Sequence, residues 1–347
     1  MRTFFVGRSG ILVRSLLTAV TLVAAGRLAT AQRTPLHLVS TAWPPFTNAA
    51  GQPRFALDLV EAALGRVGLT STTTIIAAAR FTPALLAGQF DGSAAVWKDA
   101  DRERVLIFSQ PYLENRLILV ARQDGDVSAT SLTALKGKRI AIVEGYSYGD
   151  GVDNAGPTFV RAPSEEDSLR LLLDRRVDYT LMDDLVVQYI ADNYGNEARA
   201  RLRFGVTPLV TRQLHFAVRR ALPDAQSIID RFNAQLQGMV ADHTYNRLLH
   251  VGWIWTDVDG DGVLELVPQT DRPGPNEPQH AYTLFSTSQP QALPPASVKT
   301  ETPAPKRFYL GGTIYTDWAA VPDRYKAVGS DRPDPSRSTA TIFTFKW

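Results

Sequence analysis

Residues 90–112 read FDGSAAVWKDADRERVLIFSQPY. An apolar, strand-like run from Ser93 to Trp97 breaks into a burst of charge carrying Arg102 and Arg104. The chain then recovers at Val105–Phe108 and closes on Ser109, Gln110, Pro111 and Tyr112. A charged loop raised between two buried strands is where a rigid scaffold presents chemistry. An arginine there suits a small anion, because its planar fork pairs both oxygens of a carboxylate at once. The alternative is a surface ion pair of Arg102 with Asp101 or Glu103. Arg104, two residues on, is expected to face solvent.

Outward from this stretch, strand-like and helix-like segments alternate from Leu36 to about Leu249, the pattern of a layered α/β fold. LHLVST, STTTIIAA, GKRIAIVEG, VDYTLMDD and LHFAVRR read as strands. ALDLVEAALGRVG is an amphipathic helix stopped by Gly68, and FTPALLAGQ a helix after Pro83. PSEEDSLRLLLDRR opens with Ser164 and Asp167 in capping-box spacing. LVVQYIADNYG ends a further helix at Gly195, and a long helix is expected from about Asp224 to Val240. No fixed-period repeat is present.

Residues 1–31 hold Arg2, Arg8, Arg14 and Arg27 and no acid. They surround the apolar SLLTAVTLVAAG and end in ATA, the pattern of a cleaved secretory signal. No cysteine follows the apolar core, so a lipid-anchored form is not expected, and the chain has no cysteine for disulfide or thiol chemistry. Loss of the four signal arginines takes the formal charge from +2 to −2. A near-neutral chain with no basic run has no electrostatic drive toward nucleic acid or an anionic membrane. From Pro268 to Pro305 nine prolines fall within 38 residues, which reads as a linker. The tail 307–347, with RFYLGGTIYTDW and STATIFTFKW, is expected to be partly ordered; pairing of these two β-rich, aromatic segments as a hairpin is the alternative.

The order and spacing of WPPF (43–46), GQPRFALDLVEAALGRVG, LLAGQFDG, DADRERVLIFSQPY, LTALKGKRIAIVEGYSYGD and RRVDYTLMDD carry a resemblance over about 215 positions. The chain resembles the amino-acid-binding type of extracytoplasmic solute-binding protein (bacterial solute-binding protein family 3), the bilobed receptors of ABC importers. The resemblance implies an α/β two-lobe periplasmic-binding-protein fold of type II (Venus-flytrap) with mixed sheets, here followed by a Pro-rich C-terminal extension. Lobe 1 is expected from 35–122 and 213–252, lobe 2 from 123–212, with hinge crossings near Arg122 and Arg212. The acidic loop 253–267, the linker 268–306 and the tail 307–347 would follow.

The resemblance also implies a site. Arg102 stands where the family holds a ligand carboxylate, and Asp183 where it accepts an α-ammonium; an N-cap for LVVQYIADN is the alternative for Asp183, with Asp184 competing. Ser147, in EGYSYGD between a strand and a helix, offers a hydroxyl and backbone N–H groups to a carboxylate. Trp43 stands where an aromatic ring meets the ligand, or it is packing. Tyr146 and Tyr148 would line the cleft or cover the lobe, and Arg80 is a second cation at the rim or a solvated helix start. Where the family has hydroxyls before the arginine loop, this chain has Ala95 and Trp97, with Lys98 beside them. That points to a smaller, more aromatic or differently charged pocket.

A second motif is TDVDGDGVLELVP. Asp257, Asp259 and Asp261 occupy positions 1, 3 and 5 of an EF-hand-type loop, with Gly262 at 6 and Glu265 at 9. Position 12 is Pro268 rather than the bidentate glutamate, so Ca²⁺ would bind weakly; the alternative is an acidic turn. No other cofactor is expected.

The function expected is therefore a monomeric periplasmic protein that captures a small polar, carboxylate-bearing, amino-acid-like ligand and delivers it to an ABC permease by lobe closure. One alternative is an enzyme on the same fold, of the cyclic-acid dehydratase type. Its carboxylates would be Asp183, Glu114 or Glu144, since none of the five histidines stands in a hydrolytic pattern. Another is a ligand-sensing subunit without transport.

Overall fold

The computed structural model describes residues 1, 3, 34–153, 155–279, 281–284 and 306–327. The expected signal peptide, most of the Pro-rich stretch and the segment STATIFTFKW lie outside the described residues. From Pro35 onward the chain forms one unit.

In chain order the elements are β1 (Leu36–Thr41), α1 (Phe55–Arg66), β2 (Ser71–Ile76), α2 (Ala78–Leu86), β3 (Gly92–Trp97), α3 (Ala100–Val105), β4 (Leu106–Phe108) and β5 (Leu113–Arg122). There follow β6 (Arg139–Val143), α4 (Asp150–Asp153), β7 (Thr158–Ala162), α5 (Glu165–Leu173), β8 (Tyr179–Asp183), α6 (Asp184–Asn193), α7 (Gly195–Arg201) and β9 (Leu202–Phe204). The remainder is β10 (Val210–Arg219), α8 (Ala225–Ala241), α9 (Thr244–Leu248), β11 (Trp253–Thr256), β12 (Glu265–Pro268), β13 (Tyr282–Thr283), β14 (Arg307–Leu310), β15 (Thr313–Tyr315) and α10 (Asp323–Lys326).

The larger sheet runs β2-β1-β3-β10-β5-β8-β6-β7, with β4 on β10 and β9 on β5. Its outer parts are parallel, β2-β1-β3 at one end and β8-β6-β7 at the other. The two ten-residue strands β5 and β10 run antiparallel to their neighbours and join the ends. This is the mixed two-lobe arrangement that the family resemblance implies, built on the alternating strands and helices. β5 pairs with β10 over 113–117 and with β8 over 117–121, so its crossing falls before Arg122. The strand continues without a break through the crossing, and Arg122 is its last residue.

Local chemistry explains two departures from the sequence reading. Asp99 caps a short helix by accepting from the Arg102 N–H at 2.8 Å, so the charged loop is a helical turn. Helix α2 starts at Ala78, five residues ahead of Pro83, which forfeits one intrahelical donor but leaves the first turn intact. The cap read at Ser164 is present: its side chain accepts from the Asp167 N–H at 3.0 Å.

The C-terminal region differs most. Residues 268–279 and 281–284 are not a linker: Pro268 ends the buried strand β12, β13 lies parallel to β11, and Leu284 is buried in the main core. The hairpin forms within 307–315, where β14 and β15 turn at Gly311-Gly312, both at positive φ. β14 also pairs with β12, completing a sheet β13-β11-β12-β14-β15 with its own small core of Leu266, Phe308, Leu310 and Val321.

Candidate ligand-binding cleft

The cleft gathers where strands of both halves end. The turn after β1 brings Trp43, β3 ends on Trp97, α3 supplies Arg102, and the turn after β6 carries Tyr146 and Ser147. These side chains, with Thr41, line one cavity of about 30 Å³, room for roughly one water molecule. Trp43, Trp97 and Tyr146 meet edge to face, every centroid pair within 5.6 Å. Tyr146 spans the gap, its hydroxyl 3.2 Å from Thr41 Oγ1.

Arg102 is only 3 % exposed. Its Nη1 donates to the Trp97 carbonyl at 2.8 Å, and its Nη2 to Thr82 Oγ1 at 2.6 Å and, at 3.3 Å, to the Gly145 carbonyl of the other half. Its Nε lies 3.3 Å from Asp99 Oδ2, and the guanidinium stands over the Phe81 ring. Burial lowers its proton affinity against the pull of Asp99, and an arginine stays charged under such a shift. Arg104 is 77 % exposed beside Asp101, so neighbouring arginines of one helix have opposite environments. Ser147 donates to Asp99 Oδ2 at 2.6 Å, which links Arg102, Asp99 and Ser147 across the gap.

Asp183 is fully buried but does not line the cavity. It is the N-cap of α6, accepting from the Leu185 N–H at 2.9 Å, the role that competed with ligand binding in the sequence. Its other oxygen accepts from Asn115 Nδ2 and the Arg116 N–H. Asn115 Oδ1 in turn accepts from Trp97 Nε1 at 2.7 Å, so Asp183 stands one side chain behind the aromatic wall. Burial and the neighbouring Asp184 push its proton affinity up against these donors. Arg80 is exposed on α2 and outside the cavity lining, as is Glu144 beyond β6. Tyr148 is buried, its hydroxyl accepting from the Val143 N–H.

Several site residues carry no sequence signal of their own. Asp99 reads as one acid in a charged run, Thr82 and Asn115 as ordinary polar positions. Glu165 reads as a helix-start acid, yet it is 4 % exposed, and burial pushes it up to about 8.

The acidic loop folds as a turn in which Asp257 accepts from the Gly260 and Gly262 N–H groups. Carboxylate oxygens of Asp257, Asp259 and Glu265 lie within 4.8 Å of one another. The Arg307 guanidinium of β14 reaches Asp261 at 2.6 Å, Glu265 at 3.0 Å and Asp259 at 3.4 Å.

The family described as bacterial extracellular solute-binding proteins, family 3, matches residues 37–254. The chain belongs to this family. Among curated relatives is the ABC transporter arginine-binding protein 1 of Escherichia coli K12, 25 % identical over 221 residues, covering 60 % of this chain and 86 % of that protein. The virulence sensor protein BvgS of Bordetella bronchiseptica is 29 % identical over 112 residues, 32 % of this chain and 9 % of BvgS. An ancestral arginine-binding protein bound to arginine superposes with a TM-score of 0.53 at 23 % identity, over 63 % of this chain and 98 % of that one, and so agrees in fold. The chain is a solute-binding protein of the amino-acid type seen in ABC transporters, and these relatives are named as binding and sensor proteins. No described helix is long and apolar enough to cross a membrane.

Proposed function

We propose that this protein captures an amino-acid-like solute through its carboxylate in the periplasm and, as a monomer, delivers it to an ABC permease by closing its two lobes. The observation carrying the reading is Arg102, a buried guanidinium at an aromatic-walled gap. Its longest hydrogen bond, to the Gly145 carbonyl, is the one a ligand carboxylate would replace. Asp183 Oδ1 accepts a single bond and keeps lone-pair capacity for an α-ammonium, with Asn115 and Trp97 between it and the cavity. Ligand contacts to both lobes favour the closed form by the difference in affinity for the two states. The arginine-binding relatives make L-arginine the first ligand to try. Native mass spectrometry of protein purified without refolding tests this: a co-purified amino acid supports it, and calorimetry showing no binding of any common amino acid overturns it.

A sensing role is the second reading. One observation favours it: residues beyond the family match fold onto β5, the strand shared by both lobes. It predicts that ligand slows amide exchange in 282–284 together with 113–117.

A further inference from the structure

Within one turn of helix α5, three acids meet different fates. Glu166 and Asp167 pair with Arg170 at 3.0 and 2.5 Å, facing solvent. Glu165 turns inward instead, and its Oε2 has no hydrogen-bond partner. Around it stand Trp43 from the turn after β1 and Tyr146 and Tyr148 from the turn after β6. Both tyrosine hydroxyls are engaged elsewhere, with Thr41 and the Val143 N–H. The Trp43 indole faces the carboxyl, but its Nε1 also completes no hydrogen bond.

A carboxyl stripped of water without a partner is costly, and so is a buried indole N–H. Helix capping does not explain it, since Ser164 caps α5. Two of the rings against Glu165, Trp43 and Tyr146, also line the cavity that holds Arg102. Aromatic faces beside a carboxyl suit a cation. We propose that Glu165 is the specificity-determining residue of the cleft, selecting amino acids whose side chain ends in a cation, which it pairs once Trp43 and Tyr146 part around the ligand. This rests on the carboxylate-binding reading above, with Arg102 holding one end of the ligand and Glu165 the other. Pairing ionises the buried carboxyl, and its proton leaves to the buffer. Tyr146 and Tyr148 do not titrate near neutrality, because burial raises both, and Arg161 is the basic side chain on the Tyr148 side.

The test uses L-arginine and L-citrulline, which share a shape and differ in the charge of the side-chain end. Calorimetry on the full chain should give arginine a preference of about tenfold or more, the scale of one charged hydrogen bond. Glu165→Gln should bring the two ligands within about threefold by weakening arginine alone. Titrations of the parent protein at neutral pH, in two buffers of different ionisation enthalpy, should show proton release with arginine and none with citrulline, a measurement that needs no variant. An unchanged preference in Glu165→Gln, or equal proton release for both ligands, overturns the assignment of Glu165 and leaves the Arg102 reading standing. If neither these nor any common amino acid binds the parent, both readings fall together.

Discussion

The Arg116 guanidinium lies 4.1 Å from the centroid of the Tyr282 ring and donates to the Thr283 carbonyl at 3.0 Å. Tyr282 in turn donates to the Glu114 carbonyl at 2.9 Å, and Arg116 pairs with Asp184 at 2.8 Å. The C-terminal sheet is thereby fastened to the strand that both lobes share, next to the cap of α6.

Truncation after Pro268 should therefore destabilise the protein. It removes buried Leu284 and the Tyr282 contacts, a loss of about 3 kcal/mol or more by analogy with large-to-small core changes. Urea unfolding of the two forms measures it. An unchanged midpoint would mean that the sheet contributes nothing to the core.

Arg102→Ala should cost about 3 kcal/mol or more of ligand binding, over a hundredfold in Kd, because a buried carboxylate is left unpaired. Arg102→Lys keeps the charge but loses the fork, so it should recover part of this. Arg104→Ala, at an exposed position, should change binding by well under about 1 kcal/mol. Calorimetry with the co-purified ligand gives the comparison, and equal losses at both arginines would misplace the site.

Stability should carry a pH signature of Glu165. Its folded-state value of about 8 exceeds the ordinary 4.5, so the folded protein holds a proton that the unfolded chain releases between these values. Stability then falls as pH rises from about 4.5 to about 8 and levels off above. Set against Glu165→Gln, the parent should match the variant at the acid end and drop below it progressively. Parallel pH profiles of the melting temperature would contradict this.

Arg307→Ala should lower the melting temperature by several degrees, since it leaves the buried Glu265 close to Asp257 and Asp259 with the Arg307 cation gone. Ca²⁺ bound at this loop would compete with Arg307 for the same carboxylates. At millimolar concentration it should raise the melting temperature slightly in the parent, and Asp259→Ala with Asp261→Ala should abolish that rise. A flat response would leave the loop as a turn latched by Arg307.

The alternation of elements, the place of Arg102 and the exposure of Arg104 were legible because each follows from local pattern: period, turn residues and the order of short motifs. Asp183 was legible as a position, but its role depends on Asn115 and Trp97, which approach it only in three dimensions. Glu165 was hidden by its neighbour, since an acid after a capping serine looks like every other first-turn acid. The tail misled for a related reason. Proline content argues for disorder where local contacts must supply the order, whereas β14 gains its order from β12, about forty residues earlier. Arg307 could not be paired with the acidic loop by spacing alone.

Gly145 approaches α2 so closely that a Cβ there would lie 2.6 Å from the Ala78 carbonyl oxygen. One methyl group is thus enough of a wedge to hold the jaws ajar, and the φ of +78° adds backbone strain to any replacement. If the lobes close on a solute as proposed, Gly145→Ala would be a receptor jammed short of its shut form. It would separate first encounter with a solute, which needs only one jaw, from retention, which needs both.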